Sequence, residues 1–229
     1  MTRRSRKNMT LLILLSTCLV ISGVNGLHPS WADDAQDLYN QALMHVQGKN
    51  FSQAATTLKQ AIQIFPRFAQ GHHLLGIVLF NGLEQPQEAI QHLEKAVALH
   101  PNFARAYLDL GLVYQHQKNL DKAKQALSKA VEIYPRYPEA RLSLALVYDQ
   151  LHETEQAISA YTATLELQPN QPMALYNLAT LFETQGKTSQ AQQQLENALK
   201  LANGNFQVTA MARERLKDIQ EMREMAENM

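Results

Sequence analysis

Cysteine is almost missing from this chain: Cys18 stands alone among 229 residues, so no disulfide can form within one copy. If the N-terminal segment is removed, none is left at all. Tryptophan is as scarce, represented by Trp31 only, and nine glycines and eight prolines are too few for a loop-rich or collagenous chain. β-Branched residues are sparse, Ala, Leu, Gln, Glu and Lys are abundant, and no stretch carries a convincing strand pattern, so the composition favours helix. An excess of charge is missing too, with 21 basic and 21 acidic residues. Arg3, Arg4, Arg6 and Lys7 all precede the first acid, Asp33, and the remainder holds 17 basic against 21 acidic residues, a net of −4. A nucleic-acid role therefore loses its electrostatic basis.

Catalytic signatures are absent as well. The chain has no serine-centred elbow, phosphate loop, metalloprotease helix or dinucleotide fingerprint, and no cofactor is expected. Eight histidines include the pair His72-His73, but adjacent helical residues point about 100° apart and cannot chelate from one face. Asp149, Glu153 and Glu155 near a helix end read as a solvated cluster rather than an acid and base pair. The expectation is a protein that is not an enzyme.

Residues 1–32 read as an export signal and cleavage region. A basic start is followed by an apolar run, Leu11 to Val24, and then by small residues. That run has 14 residues, short of the roughly 20 that span a bilayer. Cleavage after Gly26 and after Ala32 both fit, Ala32 slightly better, and a retained membrane tether is the alternative. LSTC at Leu15 to Cys18 only faintly resembles a lipoprotein box, because apolar residues follow it. Arg3-Arg4 lacks the residues that complete a twin-arginine signal. The expected location is exported: the periplasm or an equivalent extracytoplasmic compartment.

The rest is organised by a repeat. Pro66, Pro101, Pro135 and Pro169 are separated by 35, 34 and 34 residues. Each closes one apolar helical pattern: AATTLKQAIQIFP, AIQHLEKAVALHP, AKQALSKAVEIYP and AISAYTATLELQP. A fifth version, AQQQLENALKLANG, stops at Asn203-Gly204 instead. A second helical segment precedes each, and Ala42, Gly76, Gly111, Ala145 and Ala179 fall at one equivalent site within it. Ala54, Ala89, Ala123, Ala157 and Ala191 occupy one site in the partner helices. Small residues at two fixed places mean two helices that approach closely, flanked by larger residues such as Leu110, Tyr114 and Leu127. Gly111 lies mid-helix, where glycine costs about 1 kcal/mol relative to alanine, so Gly111→Ala is expected to be tolerated or mildly stabilising and Gly111→Leu to cost about 1 to 3 kcal/mol or more.

This pattern resembles the tetratricopeptide repeat family. The third copy matches best, with Tyr107, Leu110, Gly111, Tyr114, Ala123, Leu127, Ala130 and Pro135 on signature sites. Departures are Gln41 for leucine in the first copy, Thr164 for alanine in the fourth, and one extra residue expected in a loop at Gly82 to Gln87. The resemblance implies an all-α fold: an α-solenoid of five helix-turn-helix repeats (35–68, 69–103, 104–137, 138–171 and 172–205) in a right-handed superhelix. Helix pairs are expected at 35–48 and 52–65, 69–82 and 87–99, 104–117 and 121–134, 138–151 and 155–168, and 172–185 and 189–202. A capping helix follows within 206–229, with Val208, Met211, Ala212, Leu216, Ile219 and Met222 as its apolar stripe.

The resemblance also implies a concave groove lined by the first helix of each pair. Its sites map onto three rows: Tyr39, His73, Leu108, Leu142 and Tyr176; then Leu43, Ile77, Leu112, Leu146 and Thr180; then Val46, Phe80, Gln115, Asp149 and Glu183. The second row is apolar in four copies, and the third ends in acid. The expected occupant is a peptide or protein partner with apolar side chains, extended or helical. Against this stands the reading that these leucines pack on neighbouring repeats or under the last helix. The lysine and asparagine carboxylate clamp of some family members is absent, since its sites carry Leu108 and Leu112, or His73 and Ile77. A scaffold for assembling an envelope complex is the expected role. The alternatives are a structural protein that forms a homo-oligomer through the C-terminal helix, and a membrane-tethered assembly factor.

Overall fold

The computed structural model of the protein describes residues 31–202 and 205–228; the expected signal lies outside them, except for Trp31 and Ala32 in the first turn of α1. Among the described residues eleven α-helices follow one another: α1 (Trp31–Gln47), α2 (Phe51–Ile64), α3 (Ala69–Ile77), α4 (Pro86–Leu99), α5 (Ala104–His116), α6 (Leu120–Ile133), α7 (Pro138–Gln150), α8 (Thr154–Leu167), α9 (Pro172–Thr184), α10 (Thr188–Leu201) and α11 (Phe206–Glu227). Proline opens α4, α7 and α9, where its missing N–H costs nothing. The Asn119 and Asn205 side chains accept from Lys122 N and Val208 N to cap α6 and α11. Pro66, Pro101, Pro135 and Pro169 each stand two residues beyond a helix, where no further turn can form.

The first ten helices pack as five antiparallel pairs, α1 with α2 through α9 with α10, and each second helix then packs on the first helix of the next pair. This is the all-helical solenoid expected, and the helix bounds agree to within a few residues. The turn inside each pair is built alike. Lys49, Glu84, Lys118, His152 and Gly186 all take positive φ, between 55° and 71°, at equivalent positions. Only the fifth copy uses glycine, the residue for which that region is free of strain.

One local expectation is corrected. The extra residue of the second copy does not lengthen a loop; it is absorbed within the helix, which continues from α3 as a π-turn over Val78–Gly82. Leu83 N donates to Val78 O, five residues back, at 3.2 Å. The Phe51 ring packs on Gly82 so closely that a Cβ there would lie 2.3 Å from Phe51 Cγ. Deforming the helix keeps both its ends in register with the stack.

The paired small sites are places of close helix approach in the core. A Cβ on Gly111 would lie 2.6 Å from Leu127 Cγ, and one on Gly76 the same distance from Leu93 Cγ. Both leucines are fully buried, and Cγ is a branch point rather than a mobile tip. The expected tolerance of Gly111→Ala is therefore corrected: alanine there forces Leu127 or the helix to shift. Thr164, the other departure from pattern, is fully buried and donates its hydroxyl to Ala160 O at 2.8 Å. It is satisfied within its own helix.

The two ends explain the remaining departures. Leu75, Leu110, Leu144 and Leu178 are buried against a preceding helix, whereas Gln41 at the same site is exposed, because nothing in the described stack precedes α1. Met44, 66 % exposed, sits where Val78, Val113, Val147 and Leu181 are buried. At the other end α11 takes the place of a sixth first-helix, with Val208 following Ala174 by one 34-residue period and both buried. Val208, Ala212 and Ile219 are buried and Met211 and Leu216 partly so, while Met222, expected in that stripe, is 55 % exposed. It lies past the stack, since α11 has 22 residues against 13 in α9.

Candidate functional site

Five first-helices in register place the three rows on one face. Tyr39, Leu43, Val46, Phe80, Leu112, Leu142, Leu146 and Tyr176 are half-buried and pack their inner sides on the core. Ile77, Gln115, Asp149 and Thr180 are half-buried too. Leu108 departs from this set: only 3 % exposed, it belongs to the core beneath the rows and offers a partner little surface. The leucines thus do both jobs set against each other above, packing between repeats with part of each side chain left accessible. α11 packs on α10 and α9, so it continues the stack instead of folding back along the rows.

Polar contacts tie the rows across repeats. His73 Nε2 meets Asp109 Oδ2 at 2.7 Å, Arg105 Nε donates to the same oxygen at 3.1 Å, and the His73 ring tilts against Phe103. Gln115 donates to Gln150 at 3.2 Å, and Phe80 meets the His116 ring edge-on. His72 turns the other way, toward His92 and Pro66, so the adjacent histidines do diverge. Glu153 pairs with Lys124 at 2.6 Å and takes no part in an acid pair with Asp149. Tyr114, on the far side of its helix, donates its hydroxyl to Glu94.

The acidic end of the third row is not freely offered. Burial raises the Asp149 carboxyl above its ordinary value, against a smaller opposing effect of His152. Burial also raises Glu183, partly offset by Arg215 of α11 and reinforced by Asp218. Arg215 Nε stands 3.4 Å from Glu183 Oε2 without hydrogen-bond geometry, so this contact is an ion pair at most. Glu183 is therefore engaged by the last helix, a contact that the repeat pattern alone did not indicate.

Two open clefts lie away from these rows. One, of about 600 Å³, runs between α8 and α10 over Leu165, Leu175, Leu178 and Phe182. The other, of about 520 Å³ and more polar, separates α10 from the far half of α11. Among the described residues no three His, Cys, Asp or Glu side chains are placed to hold a metal ion. No described helix is long and apolar enough to cross a membrane.

Helix pairs repeated in phase, a small-residue seam inside each pair and a continuous row of half-exposed first-helix side chains define a helical-repeat scaffold for protein–protein interaction. Sequence profiles described as tetratricopeptide repeat match residues 38–67, 80–147, 117–172 and 160–193. The chain belongs to the tetratricopeptide repeat family, whose members are typically not enzymes. It is similar to the crystal structure of MamA at 26 % identity and a TM-score of 0.68, over 72 % of this chain and 95 % of that one. It is also similar to Pseudomonas aeruginosa PilF (24 %, TM-score 0.65, 86 % and 99 % covered). A third similar structure is YrrB, described as a tetratricopeptide protein with an unusual peptide-binding site (19 %, TM-score 0.69, 81 % and 98 % covered). The likeness to the last two bears on the fold alone. No curated protein matches the chain by sequence.

Proposed function

We propose that the protein is an exported, non-enzymatic scaffold that holds an apolar segment of a partner protein across its first-helix face and helps to assemble an envelope complex. The observation that carries the reading is the second row: Leu43, Ile77, Leu112 and Leu146 stand at equivalent sites of the first helices of four successive pairs, each half-exposed. Such a row suits an extended or helical peptide presenting apolar side chains at intervals. The peptide-binding site named for YrrB supports the same use of this fold.

Substituting these side chains would disturb the core they also serve, so the test uses a photo-crosslinking residue at Gln115, on the neighbouring third row, and at Gln125, which lies on the other face beside Tyr114. In the native cells, one partner band is expected from position 115 and none from 125. Equal adducts from both would overturn the groove reading. Export is tested by the mass of the protein recovered from those cells. Loss of residues 1–26 or 1–32 supports it, and an intact N-terminus on membranes points to the tethered form.

A second reading, self-association, rests on Met222 and Met225, which are 55 % and 59 % exposed on the projecting end of α11. Replacing both with glutamine leaves the cap in place. A fall in solution mass with that variant would favour this reading.

A further inference from the structure

His72 on α3 and His92 on α4 face each other through Nδ1 atoms 3.0 Å apart, with their rings stacked 5.2 Å between centroids. His72 is 7 % exposed. Its other nitrogen, Nε2, lies 3.2 Å from the carbonyl oxygen of Pro66, in the turn that joins the first repeat to the second. A carbonyl oxygen only accepts, so Nε2 carries the proton of neutral His72 and its Nδ1 is an acceptor. The Nδ1 contact then requires His92 to donate from Nδ1. That leaves His92 Nε2 bare, 4.0 Å from Glu88 Oε1.

Other charges bear on the pair from two helices. Lys59 of α2 holds the Glu88 carboxylate at 2.8 Å, and Lys95 of α4 acts on His72. His73 faces Asp109 and takes no part.

We propose that these two histidines form a proton-operated latch between α3 and α4, the two helices of the second repeat, which keeps its contact through one added proton and opens on the second. The first proton goes to His92 Nε2, beside Glu88, and leaves the Nδ1–H···Nδ1 hydrogen bond intact. For the second, only His72 Nδ1 remains. Two N–H groups would then point at each other across 3.0 Å, and two imidazolium rings would be stacked. That arrangement is repulsive in both hydrogen bonding and charge, so the contact breaks.

Burial holds both rings below the ordinary histidine value. At His72, Pro66 opposes the shift and Lys95 adds to it; at His92, the charge of His72 and Lys59 adds to it and Glu88 opposes. With the folded pKa lowered, the unfolded chain binds more protons in the acid range. The stabilisation is therefore complete above the unfolded pKa of about 6.5 and is lost as pH falls through the folded values. Opening loosens α3 from α4 near the start of α3, while His72 Nε2 still donates to the Pro66 carbonyl.

Nitrogen-15 NMR of the full chain at pH 7.5 should show His72 protonated at Nε2 and His92 at Nδ1; the reverse assignment for either ring overturns the latch. Thermal melts from pH 7.5 to 4.5 should then compare the protein with His92→Asn, whose amide donates from the Nδ1 position but does not titrate. The native chain should lose about 3–6 °C more than the variant across that range, and parallel curves would overturn the proposal. Should the variant not fold, titration of the native rings decides. Two separated steps support the latch, and one shared step refutes it.

Discussion

Gly111→Leu is expected to lower the stability of the protein by about 3 kcal/mol, a fall in melting temperature of roughly 6–12 °C. The new side chain starts from a Cβ already 2.6 Å from Leu127 Cγ and 3.4 Å from the carbonyl oxygen of Ala123. Leu127, Ala123 and Ala130 are fully buried, and Leu110, Val113 and Tyr114 crowd the same cluster. Four added carbons starting against these buried atoms push α5 and α6 apart. Gly111→Ala sets two effects of similar size against each other. Alanine gains about 1 kcal/mol of helix propensity, while overpacking costs about 1 to 3 kcal/mol. A modest net loss is expected, because Leu58 and Leu195 share buried clusters with Ala42 and Ala179 in the same fold, and a small helix shift therefore suffices. Urea unfolding of the three proteins checks both statements. A leucine variant as stable as the parent would mean that the helices do not approach this closely.

Removing residues 206–229 is expected to cost about 3–6 kcal/mol, from the exposure of surface that Val208 and Ile219 now cover. In a stack where each repeat touches only its neighbours, the damage should stay local. Amide exchange should rise over residues 172–201 and leave residues 104–133 protected. Unchanged protection in α9 and α10 would show that α11 is an appendage and no cap. The same truncation bares the apolar face of the last repeat, so any change in its solution mass reports a lost cap as readily as a lost partner. The two exposed methionines are the cleaner probe of self-association.

The helices and their pairing were legible in the sequence because both depend on short-range periodicity, and five copies in phase repeat that signal. The seam of small residues was legible for the same reason, but not its tightness. Alanine in three copies and glycine in two look interchangeable until the distance to Leu127 is known. The π-turn escaped because an extra residue between helices is normally taken up by a loop, whereas here the Phe51 ring fixes Gly82 and the helix must absorb it.

The candidate face was only partly legible. Repeat positions indicate which helix face a residue shares, yet burial depends on the neighbour across the interface, and this sank Leu108 into the core while its counterparts stayed half-exposed. The ion pair of Glu183 with Arg215 joins residues 32 apart on α9 and α11, and no local signal reports it.

Gln41 and Arg213 also decide how such a protein can become longer. Arg213, one period after Ala179, is a charged and exposed residue where the interior copies carry alanine or glycine against a partner helix. Gln41 does the same at the other terminus for a site that is leucine inside. A helix added after α11 would meet Arg213 where the interior copies offer a small-residue seam, and one added before α1 would meet Gln41 in place of leucine. Duplication of an interior copy such as 104–137 would bring both faces with it. The reach of the surface across a partner is thus more readily extended by insertion within the stack.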